Sequence, residues 1–281
     1  MQSLVQLVIY LNIYSAWSND IIRMINTTFL HFTGIGRKNV ERLHSIGLKD
    51  WDSVSDNPNL LPFSDKMKTK LLGELSISRE NYENKNLKYF AEKLHPTEKW
   101  TLLAEYFEEA SYFDIETNGE PYGDNITLIV CYHKGRIYKF LNGDNLEAFL
   151  ELLDDIKLLV SFNGTSFDVP MIQNYFHIPK IPCAHIDLRW LAYHVGYKGG
   201  LKEIEKSIGI RRPPDLVGIN GMDAILLWME WKNYRNQKAL DLLIHYCCAD
   251  VLSLQLLAGK ILEKHKMSVN YPSPEEIWLM M

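Results

Sequence analysis

Residues 112–116, Tyr-Phe-Asp-Ile-Glu, set two carboxylates two positions apart in an otherwise apolar, strand-like run. Alternate side chains of an extended chain share a face, so Asp114 and Glu116 point the same way. Two like charges on an apolar face are costly unless a cation sits between them. The run therefore either turns that face to solvent or builds a metal site on it.

The surrounding pattern favours a sheet with helices on it. Ile126–Tyr132 and Ile137–Leu141 read as two further strands around Lys134-Gly135-Arg136, a short glycine turn of hairpin type. Leu146–Leu153 has helical spacing, and Leu158–Phe162 reads as a buried strand ended by Asn163-Gly164, with Ser166 as a cap for the helix that follows. His185–Leu188 supplies a fifth strand. Helices are expected over Leu201–Ile208, Met222–Tyr234 and Gln237–His265. Strands first, then mixed strand and helix, predict an α/β domain over 106–265.

Two more acids lie at suggestive places. Asp168 follows the Leu158–Phe162 strand, and Asp250 lies in the last long helical pattern. Taken singly, each has an ordinary explanation: a solvated strand face, a favourable charge at a helix start, an exposed helical aspartate. Carboxylate oxygens suit Mg²⁺ or Mn²⁺ better than zinc.

The order and context of these pieces resemble the DEDD superfamily of 3′–5′ exonucleases, on the ribonuclease H-like fold, and more narrowly the YprB-like group of predicted bacterial nucleases. The resemblance covers about residues 111–262. It rests on Tyr112–Gly119, Phe162-Asn163-Gly164 with Phe167-Asp168, His185–Arg189, Gly199–Glu205 and Gly209–Arg212, then Ala224 with Leu227-Trp228, and Tyr246 with Asp250–Leu252. It implies a mixed five-stranded sheet flanked by helices and preceded by a small helical domain. It also implies two-metal phosphodiester hydrolysis, with Asp114, Glu116, Asp168 and Asp250 as ligands to two Mg²⁺ or Mn²⁺ ions about 3.5–4 Å apart. The implied partner is nucleic acid, DNA or RNA.

The superfamily divides on the residue that orients the attacking water: a Tyr four before the last Asp, or a His five before it. This chain has both, Tyr246 and His245. At 100° per residue, positions four apart differ by about 40° and positions five apart by about 140°. A helix continuous through 245 therefore puts Tyr246 on the face of Asp250; one starting after 246 returns the place to His245. Asn163 either touches the substrate backbone or ends a strand. Asp187 sits where a metal ligand is conceivable but is expected rather to cap or to orient Arg189, and Lys202, Arg211 and Arg212 either meet phosphate or form a solvated basic face.

Residues 24–75 read as a separate helical unit. Thr33-Gly34-Ile35-Gly36 opens a helix marked by Val40 and Leu43, with Gly47 as its stop. Further helices are expected from Trp51 to Pro58 and over Ser64–Leu75. The glycine turn resembles a helix–hairpin–helix element, in which backbone N–H groups bind a nucleic-acid phosphate without reading bases. Gly34, Gly36 and Lys38 are then the contacts. Simple packing of a turn between helices is the alternative. Polar residues 76–105 read as a linker with some helix, closed by Pro96, and 266–281 as a C-terminal tail.

The N-terminal stretch Leu4–Trp17 is apolar but interrupted by Gln6 and Asn12, and falls short of the about 20 residues of a membrane span. Residues 1–23 are expected to be an extension, with no membrane partner. A net charge of −5 excludes a protein that coats nucleic acid through bulk positive charge. Residues 1–105 carry 13 basic and 12 acidic side chains, so the acidity lies in the remainder. Four cysteines with no C-x-x-C pair fit a reducing, cytoplasmic compartment. Besides exonuclease, two readings stay open: an endonuclease on the same site, or an inactive nucleic-acid-binding protein on the same fold.

Overall fold

A computed structural model describes residues 24–120 and 125–281. The proposed 1–23 extension lies outside the described residues. The chain divides into two compact units, up to Glu80 and from Asn81 onward.

In the first unit, α1 (Arg37–Ser45) starts at the extended N-cap Gly36 and α2 (Trp51–Asp56) follows the turn at Gly47. Gly47 has φ +90° and ends α1, while Leu48 N–H bonds back to Leu43 O at 3.0 Å. Asp50 and Ser53 form a reciprocal capping box on α2. The α3 helix spans Asp65–Glu83. Phe29, Leu43, Trp51, Val54 and Leu71 are buried, and the Trp51 indole N–H donates to Thr28 O at 2.7 Å. Gly34 has φ +81°, and a Cβ there would lie 2.9 Å from Met67 Cε. Only glycine fits that turn without displacement.

Most of the 76–105 segment is helical. α3 runs to Glu83, and α4 (Leu87–Lys93) and α5 (Trp100–Glu105) follow. Leu87, Phe90, Leu102 and Leu103 are buried, and Lys88 Nζ donates to Ile181 O at 2.9 Å. The polar residues that made this stretch look like a connector are the outer faces of short amphipathic helices.

The second unit is built on a mixed sheet of β1 (Ala110–Thr117), β2 (Ile126–His133), β3 (Arg136–Leu141), β4 (Leu158–Ser161) and β5 (Ala184–Asp187). The strand order is β3-β2-β1-β4-β5. β1–β2 and β2–β3 are antiparallel; β1–β4 and β4–β5 are parallel. This is the expected ribonuclease H-like α/β arrangement, with a helical part before it. Helices α6 (Ala148–Asp155) and α7 (Asp168–Tyr175) cover one face, where Phe113, Ile115, Ile129, Phe149 and Ile172 form a core.

The chain continues through α8 (Leu188–His194), α9 (Leu201–Ser207), α10 (Gly221–Tyr234) and α11 (Gln237–Lys264). α11 is long and apolar enough to cross a membrane by composition, yet 78% of its apolar window is buried inside the protein. It packs on β1 and β2, as the core helix of the other face. The final residues do not trail as a tail. α12 (Pro274–Trp278) is capped by Ser273, buries Ile277 and donates the Trp278 indole N–H to Arg211 O at 2.9 Å.

Candidate active site

The site begins at a mismatch of strand lengths. β1 has eight residues and β4 four, and their ladder runs only from Ala110↔Leu158 to Tyr112↔Val160. Beyond Tyr112 that edge of β1 has no strand beside it. The Ile115 N–H donates instead to Asp168 Oδ1, at 3.2 Å. Strand alternation sends Phe113 and Ile115 into the core and leaves Asp114 and Glu116 for the opposite face, where α11 lies.

α11 is continuous through 245, and Tyr246, Cys247 and Asp250 are buried on it. Asp114, Glu116, Asn163, Asp168, Tyr246 and Asp250 all line one pocket of about 350 Å³. His245 does not line it. Its Nδ1 pairs with Asp215 at 2.9 Å, on another side of the helix. Gly34, Gly36 and Lys38 belong to the first unit and are not among the residues that line this pocket.

Four carboxylates in so small a space repel one another. Burial, followed by the charges of Asp168, Asp250 and Glu116, pushes Asp114 well above the usual carboxylate range. Burial and Asp250 do the same to Glu116. Burial raises Asp168 to about 7, against the bonds it accepts from backbone N–H groups. Tyr246 is held in its phenol form by burial and by the charges of Asp250, Glu116 and Asp114.

Asp187 holds the turn after β4 through backbone hydrogen bonds. Asn163 has φ +66°, and its N–H donates to Asp187 Oδ1 at 2.8 Å. Asp187 also accepts from the N–H groups of Thr165 at 3.1 Å and Arg189 at 3.0 Å, while the Arg189 guanidinium bonds Asn163 Oδ1. Asp187 thus caps α8 and shapes this turn. A Cβ on Gly164 would lie 2.0 Å from Ser161 Oγ, so glycine is required where the chain bends into α7. The N-cap of α7 is Phe167, without a side-chain cap, so Ser166 does not cap it.

Basic side chains close one wall. Lys202 Nζ bonds the Tyr246 hydroxyl and lies 4.2 Å from its ring centroid. Arg212 binds Glu205 through two N–H groups, at 2.7 and 2.6 Å, and also bonds Asp250 Oδ1. The Ser253 hydroxyl donates to Glu205 at 2.5 Å. Arg212 is therefore not an exposed basic face; it is a buried strut under Asp250, with its Nη1 left without a partner.

The model of the RNase_H superfamily matches residues 111–262. The chain belongs to the RNase_H superfamily. The match takes in every carboxylate of the pocket, and membership supports a nuclease-type activity on nucleic acid. No curated protein matches the chain. Among solved structures, a family B DNA polymerase from the hyperthermophilic archaeon Pyrobaculum calidifontis is similar over 54% of this chain and 24% of its own, at 18% identity and a TM-score of 0.43. The chain thus spans about a quarter of that polymerase's length.

The residues of this RNase_H-superfamily pocket fit a divalent cation. Among the described residues, Glu116 is buried with no hydrogen bond or ion pair of its own. Ligand atoms of Asp114, Glu116 and Cys247 lie within 4.8 Å of one another. Oxygen-rich donors of this kind hold hard cations. The sequence reading missed Cys247, whose thiol lies 3.6 Å from Asp114 Oδ2, and Phe167, a pocket-lining ring 43% exposed. Cys247 was findable, because positions three and four before Asp250 share its face. The strut residue Glu205 carried no such signal.

Proposed function

We propose that this chain is a divalent-metal-dependent 3′–5′ exonuclease acting on DNA or RNA, and the YprB-like resemblance belongs to this reading. The observation that carries it is the convergence of Asp114, Glu116, Asp168 and Asp250 with Tyr246 in one pocket. Asp114, Glu116, Asp168 and Asp250 would hold two Mg²⁺ or Mn²⁺ ions. When bound, such ions turn water into a nucleophile and stabilise the leaving oxygen. Their charge also lets an acidic pocket accept a polyanion.

The remaining steps fall to the protein. The Tyr246 hydroxyl orients the attacking water by hydrogen bonding, since a phenol held protonated is no general base. Lys202 fixes that hydroxyl. Arg212, braced by Glu205, fixes one oxygen of Asp250 and leaves the other toward the pocket. Asn163, locked in its turn by Asp187 and Arg189, offers its carboxamide to the substrate backbone. In the first unit, the turn at Gly34 and Gly36 with Lys38 presents the start of α1 to a phosphate, in helix–hairpin–helix manner. The four cysteines are free and buried, which suits the cytoplasm.

The test is incubation of the protein with end-labelled single-stranded DNA, duplex DNA and RNA, in Mg²⁺, Mn²⁺ or EDTA. A ladder shortening from the 3′ end, absent in EDTA and stalled by a blocked 3′ end, is expected. Cleavage that ignores the block makes the protein an endonuclease. No cleavage of any substrate in either metal sets the enzymatic reading aside in favour of a binding role.

A further inference from the structure

Next to the acidic pocket lies a larger cavity, of about 740 Å³. Lys202, Lys206, Arg211 and Arg212 line it. Among the described residues its lining holds one carboxylate, Glu205, and that one is consumed by Arg212. Lys202 bonds the Tyr246 hydroxyl and its charge acts on Glu116, whereas Lys206 and Arg211 make no ion pair among the described residues. Two cations without carboxylate partners, Lys206 and Arg211, beside Lys202 around one cavity stand out in a chain of net charge −5. Uncompensated positive charge of this kind draws anions in.

Apart from Asn220, the rest of the lining is apolar or glycine. Ile210 and Leu216 are buried at its wall, and Val217 is 74% exposed. A volume of 300–1,000 Å³ with apolar walls and a few convergent polar groups is typical of small-molecule sites. The cavity also shares a wall with the acidic pocket, because Lys202 holds Tyr246 and Arg212 holds Asp250.

We propose that this cavity binds one nucleotide of the substrate strand, its phosphate on Lys202, Lys206 and Arg211 and its base against Val217 and Leu216. The proposal rests on the nuclease reading for the identity of the anion. It makes the cavity the seat that holds the strand in register with the carboxylates.

Binding of a fluorescein-labelled single-stranded oligonucleotide is measured in EDTA at low salt, so that no hydrolysis intervenes. Lys206→Glu/Arg211→Glu is expected to weaken binding at least about tenfold. The same variant should flatten the log–log salt slope by about 0.7, the value for one single-strand phosphate no longer neutralised. AMP should displace the probe roughly tenfold better than inorganic phosphate, and Val217→Asp should erase that preference. Lys206→Gln/Arg211→Gln repeats the charge test if the reversed pair melts early by circular dichroism. Wild-type affinity and slope in the double variants, or no binding by the unaltered chain, overturns the proposal. Equal displacement by AMP and phosphate overturns the base contact. Mn²⁺ titration by calorimetry reports on the carboxylates separately: loss of oligonucleotide binding in the variants without Mn²⁺ uptake keeps the cavity and rejects the metal centre.

Discussion

Tyr246 and Asp250 stand one turn apart on α11 and line the same pocket, while His245, the immediate neighbour of Tyr246, pairs with Asp215 at 2.9 Å. The helix is continuous across all three positions. Tyr246→Phe should lower kcat by about a hundredfold, at the low end for a positioned proton-handling group, with KM little changed. His245→Ala should stay within about threefold of wild type. Steady-state kinetics on a labelled oligonucleotide decide it, and the reverse ranking would move the water-orienting role to His245.

Asp114→Asn removes one charge from a crowded pocket while keeping the side chain's shape. Activity should fall by more than about a hundredfold, since even residues behind a metal ligand are worth 10–100-fold. The melting temperature in EDTA should hold or rise, because a repulsive buried charge is gone. A variant that cleaves at wild-type rate would remove Asp114 from the metal-binding set.

Without cations, the pocket couples stability to pH. Burial raises Asp168 to about 7, so between about pH 4 and 7 the folded chain keeps a proton that the unfolded chain releases. Stability of the metal-free protein should therefore fall as pH rises through that window. Mn²⁺ must expel such protons to bind. Melting scans at pH 5 and 8, with EDTA or Mn²⁺, should show a larger Mn²⁺ gain at pH 8. Equal gains at both would mean that the cation does not replace protons on these carboxylates.

Much of this was legible in the residues. The alternation of 112–116 placed Asp114 and Glu116 on one face, and the four-residue spacing from Tyr246 to Asp250 chose between two neighbours once the helix was known to be unbroken. Asp168 could be placed after a strand, yet its bond to the Ile115 N–H depends on how far β4 runs beside β1, which no local pattern encodes. Arg212 misled for a related reason. A basic residue beside Pro213-Pro214 looks solvent-facing, and only tertiary packing brings it between Glu205 and Asp250. Over 81–105 some helix was legible but not its extent, because the few apolar positions are too sparse to outweigh a polar composition.

The Arg212–Glu205 pair gives the fourth expectation. Removing one member of a buried, hydrogen-bonded ion pair leaves the other uncompensated, at about 3–5 kcal/mol. Arg212→Met should destabilise by that order in urea unfolding. Adding Glu205→Gln should restore part of the loss, because Glu205 is then no longer an orphan charge and only Asp250 has lost its partner. If the double variant is no better than the single one, the pair's contribution lies in packing and not in charge.

The early end of the β1–β4 ladder gives the pocket an origin in the main chain. Its floor and width follow from where two strands part, not from the acids that happen to line it. The notch should therefore outlast its own chemistry: a chain stripped of all four carboxylates would keep the gap, open to whatever ligand set evolution or a designer next hung around it.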